Sequence, residues 1–127
     1  MKSFKQHIYE KLKVSVKNTI NHTLFPETKD ELFQMINDEI YKNGHDCSLN
    51  HIDVSKITDM AYIFKSSIFN GDISGWDVSN VENMEAIFFD SNFNGDISDW
   101  DVSNVKNMSF MFNYSPLKNN PPKWYKK

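Results

Sequence analysis

The segment Phe69-Asn-Gly-Asp-Ile-Ser-Gly-Trp-Asp-Val-Ser-Asn-Val-Glu-Asn-Met84 recurs 24 residues later as Phe93–Met108. Only two of its 16 positions differ, Gly75 against Asp99 and Glu82 against Lys106. A near-copy at a fixed interval marks an architecture of stacked units, because a unit this short cannot bury its apolar face alone. Counting back another 24 residues, His51–Met60 aligns with both copies. The shared columns are Val54/Val78/Val102, Ile57/Val81/Val105, Met60/Met84/Met108 and Phe64/Phe88/Phe112. Trp124, 24 residues after Trp100, opens a fourth copy that Pro116, Pro121 and Pro122 interrupt. The chain thus divides into an N-terminal helical cap at 1–49, three repeats at 50–73, 74–97 and 98–121, and a basic tail at 122–127.

Within the cap, Phe4, Ile8 and Leu12 lie on one face of a short helix over 3–13. Residues 13–16 alternate like a short strand, and 18–23 read as a loop. A clearer helix signal follows. Thr28 and Glu31 have the spacing of a capping box, and Leu32, Met35, Ile36 and Ile40 form an apolar stripe that Gly44 terminates. Inside each repeat, alternation over Ile73–Val78 predicts a short strand, and Ser79 is placed to cap a two-turn helix bearing Val81, Met84, Ile87 and Phe88. Asn92–Asp96 has turn chemistry, and Trp76, Trp100 and Trp124 are in register for a ladder.

The copies, Phe-Asn-Gly-Asp-Ile-Ser-x-Trp-Asp-Val-Ser-Asn-Val-x-Asn-Met-x-x-x-Phe, resemble the repeats of the BspA-like bacterial surface-protein family, as do the lead-in residues from Phe25 and from Leu49 to Met60. The resemblance implies an α/β repeat solenoid: a short right-handed, leucine-rich-repeat-like stack of about three strand–helical-turn coils. It also implies a surface or secreted protein engaged in adhesion or interaction, and it brings no catalytic residues.

Charge narrows the partners. All 14 basic residues are Lys, against 17 Asp and Glu. Residues 50–115 hold 3 Lys and 10 carboxylates, a balance that repels phosphate backbones and argues against nucleic acid. No run approaches the ~18 apolar residues of a membrane span. With no export signal at its start, the sequence as given reads as cytoplasmic, whereas the family resemblance points to the cell surface.

Three constellations invite chemistry. The columns Asp53/Asp77/Asp101 and Asp72/Asp96 are either cation ligands between coils or acceptors for turn amides, and the neighbouring Asn columns favour the second. Ser55/Ser79/Ser103 repeats without a histidine in register, which points to helix capping rather than a nucleophile. Cys47 lies near His45, Asp46 and His51, short of a closed zinc site and without an oxyanion device. It fits a junction better than a Cys-dependent enzyme. None of these patterns calls for a cofactor.

The columns that vary between copies hold large aromatics, Tyr62, Phe89, Phe110 and Tyr114. Aromatics on a variable face suit protein recognition, with packing under a terminus or a homodimer contact as the other reading. The expectation is a non-enzymatic protein-interaction module, a bacterial or phage-borne adaptor or inhibitor. A surface adhesin is the alternative, and a Cys47-dependent enzyme the remote one.

Overall fold

The repeated apolar columns lie directly over one another in the computed structural model, which describes residues 21–126. The helix and strand read at residues 3–16 lie outside that range. Among the described residues one α-helix, α1 (Lys29–Asn43), precedes the repeats, and one 3-10 turn, Pro116–Lys118, lies near the end of the third. The α1 cap is formed as its residues require: the Glu31 amide donates to Thr28 Oγ1 at 3.1 Å, and the Thr28 amide donates back to Glu31 Oε1 at 3.1 Å. Gly44 closes the helix at φ +92°, its amide donating to the Ile40 carbonyl. Leu32 and Ile36 on its inner face are buried in the same core as the first repeat.

Each repeat forms one tier, and the tiers are joined by a ladder of a particular kind. The amides of Met60, Tyr62, Phe64 and Ser66 donate to the carbonyls of Asn83, Glu85, Ile87 and Phe89 at 2.8–3.0 Å. The amides of Met84, Ala86, Phe88 and Asp90 donate in turn to Asn107, Ser109, Met111 and Asn113 at 2.8–3.1 Å. Between these bonds the rung coils on itself, with the Ile63, Lys65 and Ser67 amides donating three residues back, to Met60, Tyr62 and Phe64.

Aromatic columns fill the interior. Phe64 stacks on Phe88 and Phe88 on Phe112 at centroid distances of 5.6 and 6.0 Å, while Phe69 stacks on Phe93 at 6.1 Å and Trp76 on Trp100 at 6.4 Å. Such pairs add about 0.5–1.5 kcal/mol each beyond the area they bury. Every indole N–H is satisfied from the tier before: Trp76 donates to Leu49 O, Trp100 to Ile73 O and Trp124 to Ile97 O. Trp124 thus repeats the bond of the ladder, but its ring meets Phe112 at a tilt. Gly71 is required for a different reason. A Cβ there would sit 1.8 Å from the Cys47 carbonyl oxygen, so only glycine lets the backbones approach.

The expected α/β solenoid, with a leucine-rich-repeat-like strand and helical turn in each coil, is overturned. Among the described residues there is no strand, and no α-helix apart from α1; the tiers are linked by isolated parallel bridges such as Asp59↔Asn83 and Asn83↔Asn107. Two physical causes account for this. The alternating stretch at Ile73–Val78 is tied into turns at both ends, because Asp72 and Asp77 capture the amides of Ser74 and Ser79. The helical spacing of Val81, Met84, Ile87 and Phe88 is real, but the amides of Met84, Ala86, Phe88 and Asp90 leave the segment for the next tier. An α-helix needs those amides for its own carbonyls. The serine column therefore caps no helix.

Trp100 is 4% exposed and joins two tiers by ring stacking and by its indole bond. Trp100→Ala is expected to lower unfolding stability by about 3–5 kcal/mol. Denaturant titration checks this; a near-unchanged midpoint would show that the aromatic column does not hold the tiers together.

Candidate protein-binding face

Among the described residues six non-glycine residues adopt left-handed backbone, and they fall into two columns: Tyr62, Ala86 and Phe110 at φ 52–65°, and Ser66, Asp90 and Tyr114 at φ 53–59°. This conformation costs an L-residue roughly 1–2 kcal/mol. It lets alternate amides of a rung all point toward the next tier, and it leaves several of the side chains on the outer face. Tyr62 is 45% exposed, Phe110 57% and Tyr114 76%. Phe89, half-buried, meets Tyr114 edge-on at 5.4 Å. Lys65 joins the group from the first tier, its ammonium 5.7 Å from the Tyr62 ring centroid and 5.8 Å from that of Phe89.

Tyr62, Phe89 and Phe110 surround one shallow depression of about 170 Å³, completed by Lys65, Glu85 and Ala86. Tyr114 stands at its edge through Phe89. A second depression, of about 210 Å³, continues past Tyr62 onto α1, where Phe33 and Lys29 line it. Phe33 is 48% exposed and extends the aromatic strip across the cap. Sequence reading passed over it, though the signal was present: an aromatic residue standing off the Leu32–Ile36 stripe.

The other constellations have local work. Asp53, Asp77 and Asp101 each accept the amide two residues on, from Ser55, Ser79 and Ser103, at 2.9–3.0 Å. Asp72 and Asp96 do the same for Ser74 and Ser98, and also accept their hydroxyls at 2.7 and 2.6 Å. The serine hydroxyl and amide hold both carboxyls below the usual aspartate range. No cluster of metal-ligating side chains occurs among the described residues. In the larger groove along Ser55, Lys56, Thr58, Asn80, Glu82, Asn104 and Lys106, four of the side chains are already engaged. Asn80 and Asn104 donate to Ser55 O and Ser79 O, and Lys106 pairs with Glu82 at 3.2 Å.

Cys47 is half-buried, and His51 is hydrogen-bonded to Glu39. Burial, and then the Glu39 charge, push the Cys47 thiol up, against the direction a nucleophilic thiolate needs. Among the described residues no helix is long and apolar enough to cross a membrane.

Sequence and geometry together define a tandem-repeat protein of stacked, turn-built tiers with an aromatic strip exposed along one side. The family profile described as "Mycoplasma protein of unknown function, DUF285" matches residues 30–126, and the chain belongs to that family. No curated protein and no solved structure matches the chain.

A carboxyl held below its ordinary pKa, about 3.9 for aspartate, stabilises the fold above that value and ceases to as pH falls through the depressed one. Asp72→Asn with Asp96→Asn keeps an amide acceptor but removes the charge. The double variant is expected to lose less stability than the parent between about pH 5 and pH 2, read from denaturant midpoints. An identical acid slope would mean these turns contribute nothing to acid sensitivity.

Proposed function

We propose that this chain is a non-enzymatic protein-interaction module, an adaptor or inhibitor that covers part of a partner's surface with its aromatic strip. The observation that carries this reading is the assembly of Tyr62, Phe89 and Phe110, from three tiers, around one open depression, with Tyr114 against Phe89 at its edge and Lys65 laid between two of the rings. Large, stiff aromatic side chains bury much area for little entropy, which is why they dominate binding energetics. Three of the four are at least 45% exposed in positions that cost backbone strain, where glycine would be the less strained choice. Glu85 lines the depression beside the rings, and a partner with a basic group bordering an apolar centre complements it.

The left-handed backbone supplies a clean test. Phe110→Gly with Tyr114→Gly removes two rings at positions that glycine tolerates better than alanine, so folding is preserved. In a pull-down from the source organism, captured partner is expected to fall at least tenfold, since hot-spot truncations cost about 2 kcal/mol or more. Undiminished capture by a variant of unchanged melting temperature would remove the aromatic strip as the binding face.

A further inference from the structure

Along each rung alternate amides donate forward, whereas just before it Glu82 and Lys106 donate back to Thr58 and Glu82; the amides of the last rung are open. In the first two tiers the amides of the 60/62/64/66 and 84/86/88/90 positions each reach a carbonyl of the tier that follows. Their third-tier equivalents, Met108, Phe110, Phe112 and Tyr114, have no backbone or side-chain acceptor among the described residues. The apolar columns open at the same place. Val54 and Val78, Ile57 and Val81, and Met60 and Met84 are at most 1% exposed, whereas Val102, Val105 and Met108 are only partly buried. Trp124, one period past Trp100, and Tyr125 pack on Phe112 from the C-terminal side, while Met108 is only partly buried and Phe110 and Tyr114 are exposed.

We propose that this edge is a docking site for a peptide segment of a partner protein that carries the repeat's own rung pattern, Asn-Met-x-x-x-Phe, with acidic residues about it. Four parallel donors require an occupant with carbonyls at alternate residues along one edge. An extended or coiled backbone supplies these by adding itself to an open ladder. That the rung pattern fits is shown twice within the molecule, where the second tier docks on the first and the third on the second through the same four bonds. The edge offers no carboxylate to repel an acidic version. From 102 to 115 the chain holds Lys106 and no carboxylate, and Lys106 already pairs with Glu82 in the tier below. The row of amide dipoles also favours negative charge.

A second folded copy fits this edge less well. α1 lies beside the first tier's own acceptor edge, with Lys29 Nζ at 3.4 Å from Asp59 Oδ2 and Phe33 facing Ala61 and Ile63 across a depression. A free rung segment has no such cover. The site uses backbone amides of Phe110 and Tyr114 but not their rings, so it stands independently of the aromatic strip.

The test is a titration of the whole protein with a synthetic peptide of the sequence Val81–Asn92, followed by residue-resolved amide hydrogen exchange. At about ten times Kd, exchange at Met108, Phe110, Phe112 and Tyr114 is expected to slow about tenfold. The Phe110→Gly/Tyr114→Gly protein is expected to show the same slowing at residues 108 and 112. A peptide carrying Met84→Asn and Phe88→Asn is expected to give none. No slowing with the native peptide overturns the proposal, and so does equal slowing with the substituted one. Protection of these amides on raising protein concentration alone, with no peptide, overturns the choice of occupant in favour of a second copy.

Discussion

The structure depends on a polarised hydrogen-bond rung. Along residues 60–66 and 84–90 alternate amides face forward to the next tier, and along 83–89 and 107–113 alternate carbonyls face back. A strand directs its groups to both sides, and a helix directs them along its own axis; this backbone does neither. The arrangement is held by left-handed residues four apart, at 62 and 66, 86 and 90, and 110 and 114. Six such residues cost roughly 1–2 kcal/mol each, a sum comparable with the net stability of a small domain. The eight forward bonds of the rungs, the bonds that Glu82, Asn92 and Lys106 return to the tier before, and the burial they permit must offset it.

What the rung permits is exact register. Because each tier lies 24 residues above the last, the same residue type recurs in the same place, and flat aromatic rings stack on their own copies. The asparagine amides and the indole N–H groups also reach back one tier, to Ser55, Ser79, Leu49, Ile73 and Ile97. No buried side-chain nitrogen or oxygen lacks a partner among the described residues. The cost of burying polar groups is therefore met inside the repeat, and the variable residues are released for the outer face.

The copies made the stacking legible: the interval, the fixed apolar columns, the Trp76–Trp100 stack and the α1 cap could all be read from residue types and spacing. The rung could not. Met84, Ile87 and Phe88 have helical spacing, and nothing in their side chains reports that their amides are spent on another tier. Nor does any glycine mark the left-handed positions, where Tyr62, Ala86, Phe110 and Tyr114 stand instead. The aspartates, legible as acceptors for turn amides, are at odds with a strand over Ile73–Val78. A carboxylate two residues before a serine, at Asp72, Asp77, Asp96 and Asp101, is a turn signal that outweighs apolar alternation. The four candidate aromatics stand out in the sequence because they vary between copies. Phe33 has no copy with which to be compared.

Amide hydrogen exchange on the free protein tests the polarised rung most directly. The eight amides of Met60, Tyr62, Phe64, Ser66, Met84, Ala86, Phe88 and Asp90 are predicted to be protected together, at close to the global unfolding free energy. Those of Met108, Phe110, Phe112 and Tyr114, chemically equivalent but one tier further on, are predicted to exchange rapidly. Equal protection of all three rungs, or none in the first two, would contradict a fold built on forward-donating rungs.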